Sequence, residues 1–82
     1  MNVDSIESKI RHCIAEHLYV DPNKVTEDAN LLDDLGADSL DAVELVILFE
    51  EEFGLEIEEE EFEKCQKVGN VVKLLKSKLN VF

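Results

Sequence analysis

The chain has 82 residues, 45% of them hydrophobic, and a formal net charge of -12 at pH 7; that length makes one small domain, residues 1–82, with little room for a catalytic cleft. Regular apolar spacing argues against disorder despite the charge, and so negative a chain is excluded from nucleic acid and from anionic membrane surfaces, which need clustered Lys and Arg. The acid is concentrated between Val25 and Glu63, which hold sixteen acidic residues and no lysine or arginine, so partners are expected to be basic unless the run is simply a solvated face.

At the start, Met1-Asn2-Val3-Asp4 shows no Arg-rich amphipathic leader, which favours a cytoplasmic location while leaving a mature organellar form open. No apolar run approaches the ~20 residues that a bilayer span requires, so no membrane partner is expected. Ile6, Ile10, Cys13, Ile14, His17 and Leu18 recur at helical spacing and predict a first helix from Ser5 to Leu18. Asp4 and Glu7 stand as N-cap and N3 of a capping box. Asp21-Pro22 closes the helix, because proline pushes the residue before it out of the helical region. Cys13 and Cys65 lack framework spacing and are expected to be reduced thiols.

From Pro22 to Ala37 no period is sustained, yet Val25, Leu31, Leu32 and Leu35 are too apolar for a free linker. Connections this long are uncommon unless functional or tethered, so Leu32 and Leu35 are the expected anchors to the core, and Gly36 ends the loop. Asp38 then makes a good N-cap for a second helix, with Ser39 at N1, Asp41 at N3, and Gly54 as the stop beyond Phe53. Ala42, Leu45, Val46, Phe49 and Phe53 form one apolar stripe of this helix, which is enough for a core. Leu40, Val43 and Ile47 form a second. Its flanking Asp41, Glu44 and Glu51 would be dragged inward at a cost if it were buried. It therefore reads as an exposed recognition face, with packing beneath the preceding loop or a neighbouring helix as the other reading.

Leu55 and Ile57 are expected to be buried loop residues, and Glu59 to Lys64 to form one or two helical turns that direct Phe62 and Cys65 inward. Val68, Val71, Val72, Leu75 and Leu79 mark a last helix with Lys73, Lys76 and Lys78 on its outer side. The fold class is thus all-α: a small four-helix bundle with a long loop between helices one and two and a short third helix. Its core is expected from Ile10, Ile14, Leu18, Val46, Phe49, Phe53, Val72 and Leu75, and charge repulsion points to a monomer.

Ser39 stands out in Gly36-Ala37-Asp38-Ser39-Leu40-Asp41. A hydroxyl at the exposed start of a helix, where unpaired N–H groups and the macrodipole favour an anion, suits the attachment of a phosphate-linked group. Competing chemistries fail on spacing. An EF-hand would need a ligand and a glycine where Asp28-Ala29-Asn30-Leu31-Leu32-Asp33 has leucine and aspartate. Cys13 and His17 share a helix face, but only His12 and distant Cys65 remain to complete a zinc set, so no metal site is expected. The G-x-S-x-G elbow of a serine hydrolase is absent, and both histidines lie on helix one, away from Ser39.

The Gly36 to Asp41 run, followed by Val43-Glu44-Leu45 and Glu50-Glu51-Glu52-Phe53, resembles the acyl carrier proteins of type II fatty acid synthesis, and Val25 to Asp34 looks like that family's loop. The resemblance implies that Ser39 carries 4′-phosphopantetheine, transferred from coenzyme A by a phosphopantetheinyl transferase, with acyl groups held on its thiol as thioesters. It implies no catalysis. The chain would shelter the acyl group in a pocket at Val46, Phe49, Ile57, Phe62 and Cys65. It would dock on basic patches of fatty acid synthesis enzymes through Asp38, Leu40, Asp41, Val43, Glu44, Ile47 and Glu51. Carriers of polyketides, amino acids or peptides share the serine and the bundle, and an unmodified acidic interaction module would need neither arm nor transferase.

Two departures from the family pattern stand out. Phe62 and Cys65 occupy positions where the family often has a small residue and then isoleucine, a larger group and a smaller one that compensate in volume. Lys67 stands where a capping threonine is common and Gly69 adds freedom, which together predict a frayed start to the last helix.

Overall fold

Ile6, Ile10 and Ile14 are buried at four-residue intervals along helix α1, Val3–Leu18, and form the stripe on which the rest of the chain packs. A computed structural model describes residues 3–80, with side chains from Ile6 onward. Helix α1 begins two residues ahead of the expected Ser5. The expected cap at Asp4 rests on a side chain outside the described residues, as do Met1 and Asn2. Tyr19, not the proline, ends the helix: it takes a left-handed φ of 56°, and the Val20 N–H returns to the Ala15 carbonyl at 3.1 Å. This is the bonding of a Schellman stop, achieved without the usual glycine. Asp21 then caps a 3-10 turn, Pro22–Lys24, accepting the Asn23 N–H at 2.9 Å.

The long connection is tied down at both ends. Val25 is fully buried, and its carbonyl accepts from Arg11 Nε at 2.7 Å. Further on, Asn30 Oδ1 accepts the N–H groups of Leu32 and Asp33, both at 3.0 Å, while Asp34 Oδ2 accepts the Asn30 N–H at 2.7 Å. Reciprocal bonding of this kind closes a turn much as a capping box closes a helix. It places Leu31 and Leu35 on the inner side, both buried, and turns Leu32 out with 68% of its surface exposed. Leu32 is therefore not an anchor, and Val25, Ala29, Leu31, Leu35 and Ala37 hold the loop instead.

Helix α2, Ser39–Phe53, ends at Gly54, whose φ of 63° and N–H bond to the Glu50 carbonyl make the expected stop. Its Leu45, Val46 and Phe49 are buried. The Phe49 ring lies 6.4 Å from both Phe53 and Phe62, which joins α2 to the short α3, Glu59–Glu63. Helix α4, Val68–Lys78, buries Val68, Val71, Val72 and Leu75. Of the expected core, Leu18 and Phe53 prove only half-buried, because both sit at helix ends where the bundle opens to solvent. Among the described residues there are four α-helices and no strand, so the fold is a small all-α bundle. None of these helices is long and apolar enough to cross a membrane.

The start of α4 is not loose. The Val68 N–H donates to the Ala29 carbonyl at 3.0 Å and the Gly69 N–H to the Glu27 carbonyl at 2.9 Å, while Leu31 N–H donates to Gln66. Loop carbonyls thus satisfy donors that a capping side chain would otherwise serve, and Lys67 is left without that task. Gly69 permits this close approach, since a Cβ there would fall 2.7 Å from Glu27 Cγ and 3.0 Å from its carbonyl oxygen. At the other end, Lys76 reaches Glu7 at 3.7 Å and Lys78 reaches Glu61 at 2.8 Å, so only Lys73 of the three lysines is fully outward.

Candidate functional site

Buried Ala37 fixes the end of the loop, and Asp38 immediately opens α2. Asp38 Oδ1 accepts the Asp41 N–H at 2.9 Å, and Asp41 Oδ2 accepts the Asp38 N–H at 3.1 Å. This two-way cap is worth ~1 kcal/mol for its first half alone. It holds the turn on which Ser39, exposed at N1, is displayed. The side chain stands in solvent at the helix's positive end, where an attached phosphate is favoured.

Ser39 is also a wall residue of a cavity of about 340 Å³ between the loop, α2 and α3. Leu31, Ala37, Leu45, Val46, Phe62 and Cys65 line it, a mainly apolar surface at the lower end of the size range of ligand pockets. Of the five residues that the resemblance assigns to an acyl pocket, Val46, Phe62 and Cys65 line this cavity. Phe49 and Ile57 lie outside its wall: Phe49 is fully buried between two other rings, and Ile57 is buried with its N–H bonded to Glu50 Oε2 at 3.0 Å. Leu31, Ala37 and Leu45 carry no mark in the sequence that separates pocket wall from core, since only the folding back of the loop brings them together. Burial, and then the charge of Glu61, push the Cys65 thiol above the ordinary cysteine value, which keeps it a neutral wall group.

The outer face of α2 presents Leu40, with 65% of its surface exposed, and Val43 and Ile47, both exposed. The reading that packs this stripe beneath the loop or a neighbouring helix is thereby set aside. Asp38 and Glu51 are exposed at its edges. Asp41 and Glu44 are turned partly toward α1, where His17 Nε2 lies 3.4 Å from Asp41 Oδ1 and 2.9 Å from Glu44 Oε2. Leu48 extends the apolar surface in the same direction.

The phosphopantetheine attachment site family matches residues 8–75 of this chain. An acyl carrier protein of Akkermansia muciniphila is 54% identical over 72 residues, 88% of this chain and 90% of that one. The chain belongs to the acyl carrier protein family. Members from Phenylobacterium zucineum and Thermotoga maritima are each 49% identical, over 94% and 93% of this chain and 98% and 94% of their own. The match to the acyl carrier protein family spans both Ser39 and the residues that line the cavity.

Proposed function

We propose that Ser39 holds the 4′-phosphopantetheine arm through which this family member works, and that the acyl chain shelters in the cavity between α2 and α3. The protein is a thioester carrier of fatty acid synthesis and not an enzyme. What supports the assignment to Ser39 is one juxtaposition: the exposed N1 serine of α2 is at the same time a wall residue of the apolar cavity.

The residues present suit such a group. On attachment, Ser39 Oγ gains the phosphodiester bond and loses its proton, while the pyrophosphate bond of coenzyme A breaks and the adenine nucleotide leaves. The two-way cap of Asp38 and Asp41 keeps Ser39 at the helix start, where backbone N–H groups favour the attached phosphate. Once attached, the arm supplies a thiol that bears acyl groups as thioesters. Val46, Phe62 and Cys65 offer an apolar surface to the chain carried on it.

The partners are enzymes of fatty acid synthesis, and their docking face on this chain is the outer side of α2. Leu40, Val43 and Ile47 supply contact area, and Asp38, Asp41, Glu44 and Glu51 draw in basic surfaces. Rim charges of this kind raise encounter rates more than they tighten binding. Fast, weak complexes suit a shuttle, because nanomolar affinity for one enzyme would release the carrier too slowly for the next.

Incubation with coenzyme A and a phosphopantetheinyl transferase, followed by intact mass measurement, tests the assignment. Wild type gains the mass of one phosphopantetheine and Ser39→Ala gains none. A wild-type protein that stays unmodified, or an alanine variant that is loaded, overturns it.

A further inference from the structure

We propose that His17, Asp41 and Glu44 form a binding site for a transition-metal ion of the zinc class, linking the end of α1 to the start of α2. The three residues come from two helices and converge: one donor atom from each lies within 4.8 Å of the other two. His17 Nε2 is 2.9 Å from Glu44 Oε2 and 3.4 Å from Asp41 Oδ1. Donors around a tetrahedral zinc ion, with bonds of about 2.0–2.2 Å, stand about 3.3–3.6 Å apart. Both separations from His17 Nε2 thus lie within about half an ångström of those of a ligand set.

Two further observations separate this site from a chance crowding of acids. The first is that His17 Nε2, itself shut off from solvent, faces two carboxylate oxygens at ion-pair distance. A single imidazole N–H can serve only one of these two oxygens, whereas an ion would engage both together with the nitrogen. The second is the fixing of Asp41. Its Oδ2 accepts the Asp38 N–H at 3.1 Å, which leaves Oδ1 directed at His17. Outer bonds of this kind orient metal-binding carboxylates before the ion arrives.

The nitrogen donor decides the class of ion. Carboxylate and water alone suit magnesium and calcium, whereas an imidazole among them favours zinc and its neighbours in the first transition row. Three protein donors leave a fourth position for water, and Asp41 and Glu44 border a shallow cleft that Cys13, Glu16 and Tyr19 also line. Occupancy would neutralise two carboxylates on the proposed docking face. That consequence rests on the carrier reading above, whereas the binding itself requires neither the arm nor a partner.

The unmodified full-length protein, labelled with 15N and titrated with zinc chloride, tests the site without reference to carriage. Saturation at a single equivalent is expected, with the His17 imidazole nitrogen resonances shifted. His17→Gln should weaken zinc binding about tenfold or more, and Glu44→Gln should weaken it too, while magnesium binding is alike in wild type and His17→Gln. Unmoved His17 resonances in wild type overturn the proposal, as does a His17→Gln variant that binds zinc as tightly as wild type. Loss of zinc binding in Cys13→Ser, with retention in His17→Gln, assigns the ion to the thiol and equally overturns it.

Discussion

The Glu27 carbonyl accepts the Gly69 N–H at 2.9 Å, and the Glu27 side chain fills the space that a Cβ at position 69 would need. A loop residue and a helix residue distant in sequence thus determine each other. The glycine lets the backbones approach, and the approach supplies the acceptor that the first turn of α4 lacks.

Replacing Gly69 by alanine should therefore destabilise the protein, although alanine is the better helix former by ~1 kcal/mol. Overpacking against a backbone oxygen costs about 1–3 kcal/mol, and the loop must shift to relieve it. Urea unfolding of Gly69→Ala is expected to show a net loss of ~1 kcal/mol. A gain in stability would mean that the loop does not hold α4 in solution.

The cap at the start of α2 makes a second, separable prediction. Asp38→Ala removes the acceptor of the Asp41 N–H and should cost ~1 kcal/mol, whereas Asp38→Asn keeps a side-chain oxygen in place and should cost only a few tenths. Equal losses in thermal or urea unfolding would transfer the effect from the hydrogen bond to the charge.

This cap is legible in the sequence because its partners are three residues apart, and the same holds for the Gly54 stop and the periodic stripes of α1, α2 and α4. Contacts that join distant segments leave no comparable mark. Leu32 and Leu31 are equally apolar, and only the turn closed by Asn30 and Asp34 decides that Leu31 faces inward. Gly69 suggests looseness when read alone and proves to be a point of close approach. Ser39 and the outer stripe of α2 are legible for the local reason, whereas the cavity wall and the meeting of His17 with Asp41 and Glu44 depend on how the helices cross.

Thiol chemistry gives a test of the pocket wall. Burial is the main cause holding both Cys13 and Cys65 above the ordinary cysteine value, with Glu52 and Glu16 adding to it at Cys13 and Glu61 at Cys65. A raised value means less thiolate at any given pH, and the thiolate is the reactive form. Alkylation of the native protein near neutral pH should therefore be slower at both sites than in urea. The gap should narrow as the pH rises past the native values. Native rates equal to those in urea throughout would show that neither thiol is sheltered.

Charge on the outer face of α2 should act on encounter rather than on residence. Glu51 is exposed and Glu44 partly so, beside apolar Val43 and Ile47. Reversal of both, as Glu44→Lys with Glu51→Lys, should lower the association rate with a phosphopantetheinyl transferase about tenfold or more at low ionic strength. The deficit should shrink as salt shortens the screening length toward 3 Å at ~1 M. Ile47→Ala, which removes contact area and no charge, should instead speed dissociation and leave the salt dependence of association unchanged. Stopped-flow mixing across a salt series separates the two effects. An association rate indifferent to the double reversal would remove the outer face of α2 as the steering surface.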